Sequence, residues 1–301
     1  MISAIETIGL TKIYTGRGSR NACPALDAVS FAVEAGQIIA ILGLNGAGKS
    51  TLIKILLDLV RPTSGEAFLF GKSVRSHLWK ELVGYLPESF QPPPGFTART
   101  LLHHLGRLSG LHGRKLADRT GTVLGLVGLT ENRSQRIRTL SKGMLVRLGI
   151  AQAFLHEPRL LFLDEPTEGL DPAARKLVRN LLLDLRANGT TVLLNSHLLS
   201  EIEFVADRVI ILHRGKVVAN GTLAELLPPD DSFEVESPTE PGIGKWEFRS
   251  AGSSWVCEVP SLRELNQLLS ELNAKSIRVT AVKPKRTTLE DVFFSYVSGI
   301  P

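Results

Sequence analysis

Ile38-Ile39-Ala40-Ile41-Leu42-Gly43-Leu44-Asn45-Gly46-Ala47-Gly48-Lys49-Ser50-Thr51 joins an unbroken apolar run to a glycine-rich turn. Five apolar residues without alternation read as a strand buried on both faces, as in parallel sheets. The turn lets backbone N–H groups of Gly43, Asn45, Gly46, Ala47 and Gly48 face an anion with little Cβ obstruction. A helix starting near Lys49, with Leu52, Ile53, Ile55 and Leu56 as its apolar residues, adds its positive dipole end. Within this strand–loop–helix unit, Lys49 is placed for the β- and γ-phosphates of a nucleotide, Ser50 for Mg²⁺, and Thr51 closes the phosphate-binding stretch. A merely flexible turn would need neither the buried strand before it nor the apolar helix behind it.

Working outward, Val29-Ser30-Phe31-Ala32-Val33 and Ala67-Phe68-Leu69-Phe70 are bounded by turn residues and read as strands of an antiparallel piece. Past the proline-rich Gln91-Pro92-Pro93-Pro94-Gly95, residues 97–157 read mainly as helices with glycine breaks, and Leu101, Leu105 and Leu108 share a helical face. From Arg159 onward, strands at Leu160 to Leu163, Thr191 to Leu194 and Val209 to Leu212 alternate with a helix around Ala173 to Ala187. That order implies parallel βαβ units. The fold class is therefore α/β: a P-loop NTPase core with a parallel sheet, an antiparallel β-subdomain, and an inserted α-helical subdomain at about 91–157.

After Leu227 the texture changes. Pro228-Pro229-Asp230-Asp231-Ser232 reads as a linker, followed by strands around Phe233 to Val235 and Trp255 to Val259. Ser261 with Glu264 forms a capping-box pattern ahead of Leu262, Leu265, Leu268, Leu269 and Leu272, which are spaced for one helical face. Ile277 to Val282 reads as another strand, and Thr287 with Glu290 as a second capping box before Val292 and Phe293. The expected organisation is a nucleotide-binding domain over 1–227 and a small α+β accessory domain over 228–301, the latter without a catalytic motif.

A chain of 301 residues allows one medium core with an appendage. Its net charge of +5, from 35 basic and 30 acidic residues, is too diffuse overall to argue for nucleic acid. Lys283-Pro284-Lys285-Arg286 reads as solvated loop. Cys23 and Cys257 have no metal-site or disulfide spacing, which fits a reducing cytoplasm. Met1 to Leu10 has no basic stretch followed by an apolar one, so no signal peptide is visible. The apolar run Val123 to Leu129 falls far short of the roughly 18 residues needed to cross a bilayer, so any membrane role must come through a partner.

Two further stretches carry the chemistry. Leu160-Leu161-Phe162-Leu163-Asp164-Glu165 places two carboxylates where a buried strand ends. Asp164 suits a grip on Mg²⁺, and Glu165 suits the general base that polarises an attacking water beside a γ-phosphate. Without Lys49 upstream, the same pair would read as an acidic strand end before a turn. Upstream of it lies Leu140-Ser141-Lys142-Gly143-Met144, a small-residue turn opening a helix.

Together these motifs resemble those of ATP-binding cassette (ABC) ATPases, over approximately Ile2 to Leu227. The resemblance implies ATP and Mg²⁺ as ligands, Tyr14 as the aromatic stacking on adenine, and Glu88 in Gly84-Tyr85-Leu86-Pro87-Glu88 at the Q-loop position as a Mg²⁺ ligand. It implies that Ser141 and Gly143 bind the γ-phosphate held by an opposite subunit. Gly169-Leu170-Asp171 then stands as the loop crossing that interface, with Asp171 at the bound nucleotide, and His197 as the switch histidine contacting γ-phosphate and Glu165. Each motif occurs once, so a second cassette is required, expected as another copy of this chain, with a different cassette as the alternative.

Two departures narrow the resemblance. Glu88 stands where most cassettes carry glutamine, and a carboxylate accepts from metal-bound water but donates no amide N–H. Lys142 and Met144 replace the common glycine and glutamine. With Thr288-Leu289-Glu290-Asp291-Val292-Phe293, they resemble the cassettes of type-two ABC exporters, whose permeases are separate chains. That implies ATP hydrolysis at the cytoplasmic face of the cell membrane, as a peripheral subunit bound to a transmembrane permease, with no nucleic acid expected. A groove for a permease helix is expected after Gln91. The rival readings are a soluble ABC ATPase acting on nucleic acid or ribosomes, against which stands the lack of tandem cassettes or a coiled-coil insertion, and a regulatory nucleotide-binding module.

Overall fold

The computed structural model describes residues 3–14, 23–227 and 231–298. Pro228, Pro229 and Asp230 of the expected linker lie outside these residues. The chain forms two units, Met1–Leu223 with Phe293–Pro301, and Ala224–Val292.

In the first unit, β1 (Ser3–Lys12) lies between β2 (Leu26–Glu34) and β4 (Ser64–Leu69), with β5 (Lys72–Ser73) beyond β4. All the pairings are antiparallel. Leu26, Val29, Phe31 and Val33 of β2 are buried while Ser30 and Ala32 are exposed, so the sheet turns one face to the core.

A six-stranded sheet runs β10 (Lys216–Thr222), β9 (Arg208–His213), β3 (Ile38–Leu42), β8 (Thr191–Asn195), β7 (Leu160–Asp164), β6 (Val83–Leu86). It is parallel from β9 to β6, and every residue of β3, β7 and β8 is buried. The return strand β10 is antiparallel, joined to β9 through Arg214 and Gly215, both at positive φ as a tight hairpin needs. Apolar periodicity alone did not call for it. Helix α1 (Lys49–Leu56) follows β3, and its Leu52, Ile53, Ile55 and Leu56 are buried. The crossover from β7 to β8 is α5 (Pro172–Ala187), and α6 (Leu199–Val205) leads into β9.

Between β6 and β7 come α2 (Ala98–Leu108), α3 (Gly113–Leu126) and α4 (Lys142–Ala153). The expected face of Leu101, Leu105 and Leu108 holds only in part. Leu101 is buried, but Leu108 is 74% exposed. As the last helical residue, Leu108 lies past the close approach at Gly106, where a Cβ would strike Leu116, and Leu111 returns to cover that point.

In the second unit, which begins within the short α7 (Leu223–Leu226), the strand order is β12 (Arg249–Ala251), β13 (Ser254–Val259), β11 (Phe233–Ser237), β14 (Ala281–Pro284), all antiparallel. Helix α8 (Leu262–Ala274) buries Leu265, Leu268 and Leu272 with Val235, Cys257 and Val259. Leu262, at the first helical position, is exposed. Ser261 caps the helix, accepting from the Glu264 N–H at 3.3 Å.

Two expectations shift here. The strand expected at Ile277 begins at Ala281, because Ile277 and Val279 turn their side chains onto the apolar cluster before the chain reaches β11. The second cap sits one residue later than expected. The Thr288 N–H donates to Asp291 Oδ2 and the Asp291 N–H to Thr288 Oγ1, which puts the buried Leu289 at the start of α9 (Leu289–Ser298). Lys283 and Pro284, expected in a loop, belong to β14, where Lys283 pairs with Glu236 at 2.5 Å.

Candidate active site

The parallel strands β3, β6, β7 and β8 end at one edge of the sheet, where open α/β sheets place their ligands. The phosphate-binding loop leaves β3 there and enters α1 through Gly48, at φ 111°. A Cβ on Gly48 would collide with the Ala25 carbonyl oxygen, so the position admits no side chain. Lys49 Nζ donates to the carbonyl oxygens of Gly43 at 2.6 Å and Leu44 at 3.3 Å, which holds the amine over the loop. Burial lowers the Lys49 pKa, and the carboxylates of Glu165 and Asp164 oppose that shift. The Ser50 side is exposed, as is the tip at Leu44, Asn45 and Gly46.

Asp164 ends β7 and is 8% exposed. Its register partner on β8 is Asn195, whose Nδ2 donates to Asp164 Oδ1 at 2.5 Å. The carboxylate fixes the amide orientation, because only the nitrogen can donate to it. Asn195 Oδ1 is left buried without a hydrogen-bond partner among the described residues. The Asn195 carbonyl also accepts the Glu165 N–H at 2.8 Å, so one residue fixes both acids.

Glu165 adopts φ 50°, rare for a residue with a side chain and a backbone feature that clusters at functional sites. Its side chain is only 10% exposed, and Oε2 accepts from His197 Nδ1 at 2.9 Å and from the His197 N–H at 3.3 Å. Burial raises the Glu165 pKa, hydrogen bonding and charge at His197 pull it down, and Asp164 pushes it up again. A raised pKa suits a carboxylate that must take a proton near neutrality.

The remaining expected residues fall into separate places. Tyr14 is half exposed, with its hydroxyl 3.5 Å from Thr51 Oγ1 and Lys12 Nζ 5.0 Å from its ring centroid. Glu88 is exposed beyond β6. Tyr85, which sequence reasoning passed over, has its hydroxyl pKa raised by burial and then by the charges of Asp164 and Glu88. Ser141 is the N-cap of α4, accepting from the Met144 N–H at 3.2 Å. Asp171 caps α5 in the same way, accepting from the Ala174 N–H at 2.8 Å.

The starts of α4 and α5 meet, since a Cβ on Gly143 would lie 3.1 Å from Ala174 Cβ and one on Gly169 would strike Lys142. The structure thus brings Gly43 to Thr51, Asp164, Glu165 and His197 to one strand edge. Ser141, Lys142 and Gly143 gather instead with Gly169 to Asp171. Sequence reasoning also missed Asn195, whose signal was a polar residue closing the apolar run Thr191 to Leu194, just as Asp164 closes the run before it.

The family model described as ABC transporter matches residues 26–168. An uncharacterized ABC transporter ATP-binding protein of Synechocystis sp. is 36% identical, over 97% of this chain and 84% of its own length. The chain belongs to the ABC transporter family, as an ATP-binding subunit. This ABC ATPase is also 39% identical to the daunorubicin/doxorubicin resistance ATP-binding protein DrrA of Streptomyces peucetius, over 99% of this chain and 93% of that one. To the bacitracin transport ATP-binding protein BcrA of Bacillus licheniformis it is 40% identical, over 72% and 69%.

Among solved structures, an ATP-binding subunit of an ABC transporter shares 32% identity with a TM-score of 0.66, over 74% of this chain and 92% of that one. The cassette MJ0796, described as a dimer in a post-hydrolysis state with ADP and Pi, matches in fold at TM-score 0.66 and 24% identity, over 73% and 98%. This ABC ATPase therefore has the P-loop α/β fold of its family and its ATP-hydrolysing activity. Among its described residues, no helix is long and apolar enough to cross a membrane.

Proposed function

We propose that the chain hydrolyses Mg-ATP at a composite site, to drive export through a transmembrane permease carried on a separate chain. Residues 1–227 act as the nucleotide-binding domain and 228–301 as an accessory domain. The observation that carries this reading is the separation of the two residue groups. Lys49, Asp164, Glu165 and His197 converge at one strand edge, whereas Ser141 begins a helix whose start meets α5. A second cassette, taken as another copy of this chain, supplies Ser141 and Gly143 to the first one's nucleotide, with Asp171 at the interface.

The oxygen donors Ser50 and Asp164, with Glu88, suit Mg²⁺, a hard ion that keeps waters and phosphate oxygens in its shell and needs few protein ligands. The orphaned Asn195 Oδ1 beside Asp164 adds a buried acceptor there. When bound, the ion draws charge from the phosphate oxygens. The loop from Gly43 to Thr51 cradles the phosphates, with Lys49 released from its own carbonyls to meet them. Tyr14 stacks on the adenine. Glu165 accepts the proton of the attacking water, and His197 holds Glu165 Oε2 and faces the γ-phosphate.

Similarity to DrrA and BcrA supports export as the direction and the inner face of the membrane as the place of work. Coupling runs through the helical segment after Gln91. The test is Glu165→Gln. It should bind ATP, accumulate as a nucleotide-bound dimer and lose turnover, and wild-type hydrolysis by that variant would sink the general-base assignment.

A further inference from the structure

The net charge of +5 is not spread evenly along the chain. Between Gln91 and Glu157 there are ten arginines and lysines against three acids, Asp118, Glu131 and Glu157, which leaves 25 basic and 27 acidic residues for all the rest. The helical segment is thus strongly cationic on an otherwise slightly acidic protein.

The fold concentrates that charge further. Backbone hydrogen bonds join the stretch before α2 to the stretch before α4: Ile137 N–H to the Phe96 carbonyl at 2.8 Å, Arg99 N–H to the Arg133 carbonyl at 3.0 Å, with Thr97 bridging to Arg136. Arg99, Arg133 and Arg136 are thereby gathered at the start of α2, and Arg107 follows on the same helix. All four are exposed, and none has a side-chain hydrogen bond or ion pair among the described residues. Arg99, His103, His104 and Arg107, with Thr97 and Ser134, line an open groove of about 510 Å³.

We infer that this face binds the phosphate groups of anionic phospholipids, so that the cassette contacts the membrane surface directly as well as through its permease. Arginine forks match phosphate oxygens, and a row of unpaired cations is attracted to an anionic leaflet. Arg99 and Arg107 line the groove together with Thr97, Thr100 and Ser134, whose guanidinium and hydroxyl groups suit phosphate oxygens. The inference rests on the reading of the chain as a membrane-peripheral subunit.

The experiment is co-sedimentation of the full chain, without permease, with vesicles of phosphatidylcholine mixed with phosphatidylglycerol, against phosphatidylcholine alone. Binding is expected only to the anionic vesicles, falling as salt rises. Each neutralised arginine should weaken it roughly fivefold, so Arg99→Gln with Arg136→Gln should weaken it about 25-fold. ATPase activity in solution should stay unchanged, which also reports that the variant is folded. Arg114→Gln, at an exposed arginine paired with Asp118, should bind nearly as wild type does.

Equal binding to neutral vesicles, no binding at low salt, or no effect of the double variant would overturn the inference. So would retention by an acidic peptide or by RNA where the anionic vesicles fail, which would assign the face to that partner instead. A chain that hydrolyses ATP and is captured by a permease, yet ignores anionic vesicles, loses the lipid assignment alone. One that binds the vesicles but no permease loses the transporter-subunit reading alone.

Discussion

His197 meets Glu165 twice through one oxygen, Nδ1 at 2.9 Å and the backbone N–H at 3.3 Å from Oε2. The contacts stabilise the ionised carboxylate against a burial that disfavours it. Glu165 must be ionised to accept a proton, and its pKa lies above the usual carboxylate value. Activity should therefore rise with pH along an acid limb placed higher than an ordinary glutamate would give. Removing the ring in His197→Ala takes away a lowering influence, so the limb should move to still higher pH as kcat falls. A kcat–pH profile measures both, and an unmoved limb would separate His197 from Glu165.

Asn195 gives a second expectation, because its amide is the hydrogen-bond donor to the buried Asp164 Oδ1. Asn195→Leu keeps the volume and removes the donor, which should cost about 1–3 kcal/mol of stability through a carboxylate left short of a partner. It should also raise the Mg²⁺ concentration needed for half-maximal hydrolysis, since Asp164 loses its fixed orientation. Denaturant unfolding reads the first effect and a Mg²⁺ titration the second. Unfolding at the wild-type midpoint would mean the bond contributes little.

The buried strands and the loop were legible in the sequence because their signals are local. Ile38 to Leu42 is apolar without a break, and Gly43 to Thr51 follows at once. Asp164 and Glu165 were legible for the same reason, as paired acids ending such a run. Asn195 had such a local signal too, a polar residue closing Thr191 to Leu194, but it was passed over because its importance comes from lying across the sheet from Asp164, a register that no single stretch encodes. The antiparallel β10 escaped because a hairpin return has no long apolar signature of its own. The cap at Thr288 was misplaced by one residue because Thr287-Thr288 followed by Glu290-Asp291 offers two boxes, and burial of Leu289 decides between them. The cationic face was hidden in a modest overall charge, and became visible once the stretches before α2 and α4 were seen to be joined.

The second unit has its own apolar interior, so its stability can be perturbed separately. Leu268 is fully buried among Val235, Val259, Leu265 and Leu272. Leu268→Ala should destabilise that unit by about 2–5 kcal/mol. In the full chain an early unfolding step should appear, while ATP hydrolysis measured below it stays at the wild-type rate. Loss of hydrolysis in parallel with that step would show that the catalytic unit depends on this core.

The phosphate-binding loop offers a contrast between Gly46 and Gly48, three residues and one residue before α1 begins at Lys49. Gly46 has φ 82° with nothing within 4 Å of a Cβ built on it, whereas Gly48 has φ 111° with the Ala25 carbonyl oxygen in the way. Gly46→Ala should therefore cost only the left-handed backbone penalty, about 1–2 kcal/mol. Gly48→Ala adds a collision with backbone that cannot swing aside, so α1 or the Ala25 segment must shift. Without nucleotide, Gly48→Ala should unfold at the lower denaturant concentration of the two. It should also lose binding of a fluorescent ATP analogue, because α1 then no longer starts where its N–H groups and Lys49 can reach the phosphates. Equal stability of the two variants would mean that Ala25 yields, and that the approach of the two segments at Gly48 is not what sets the loop.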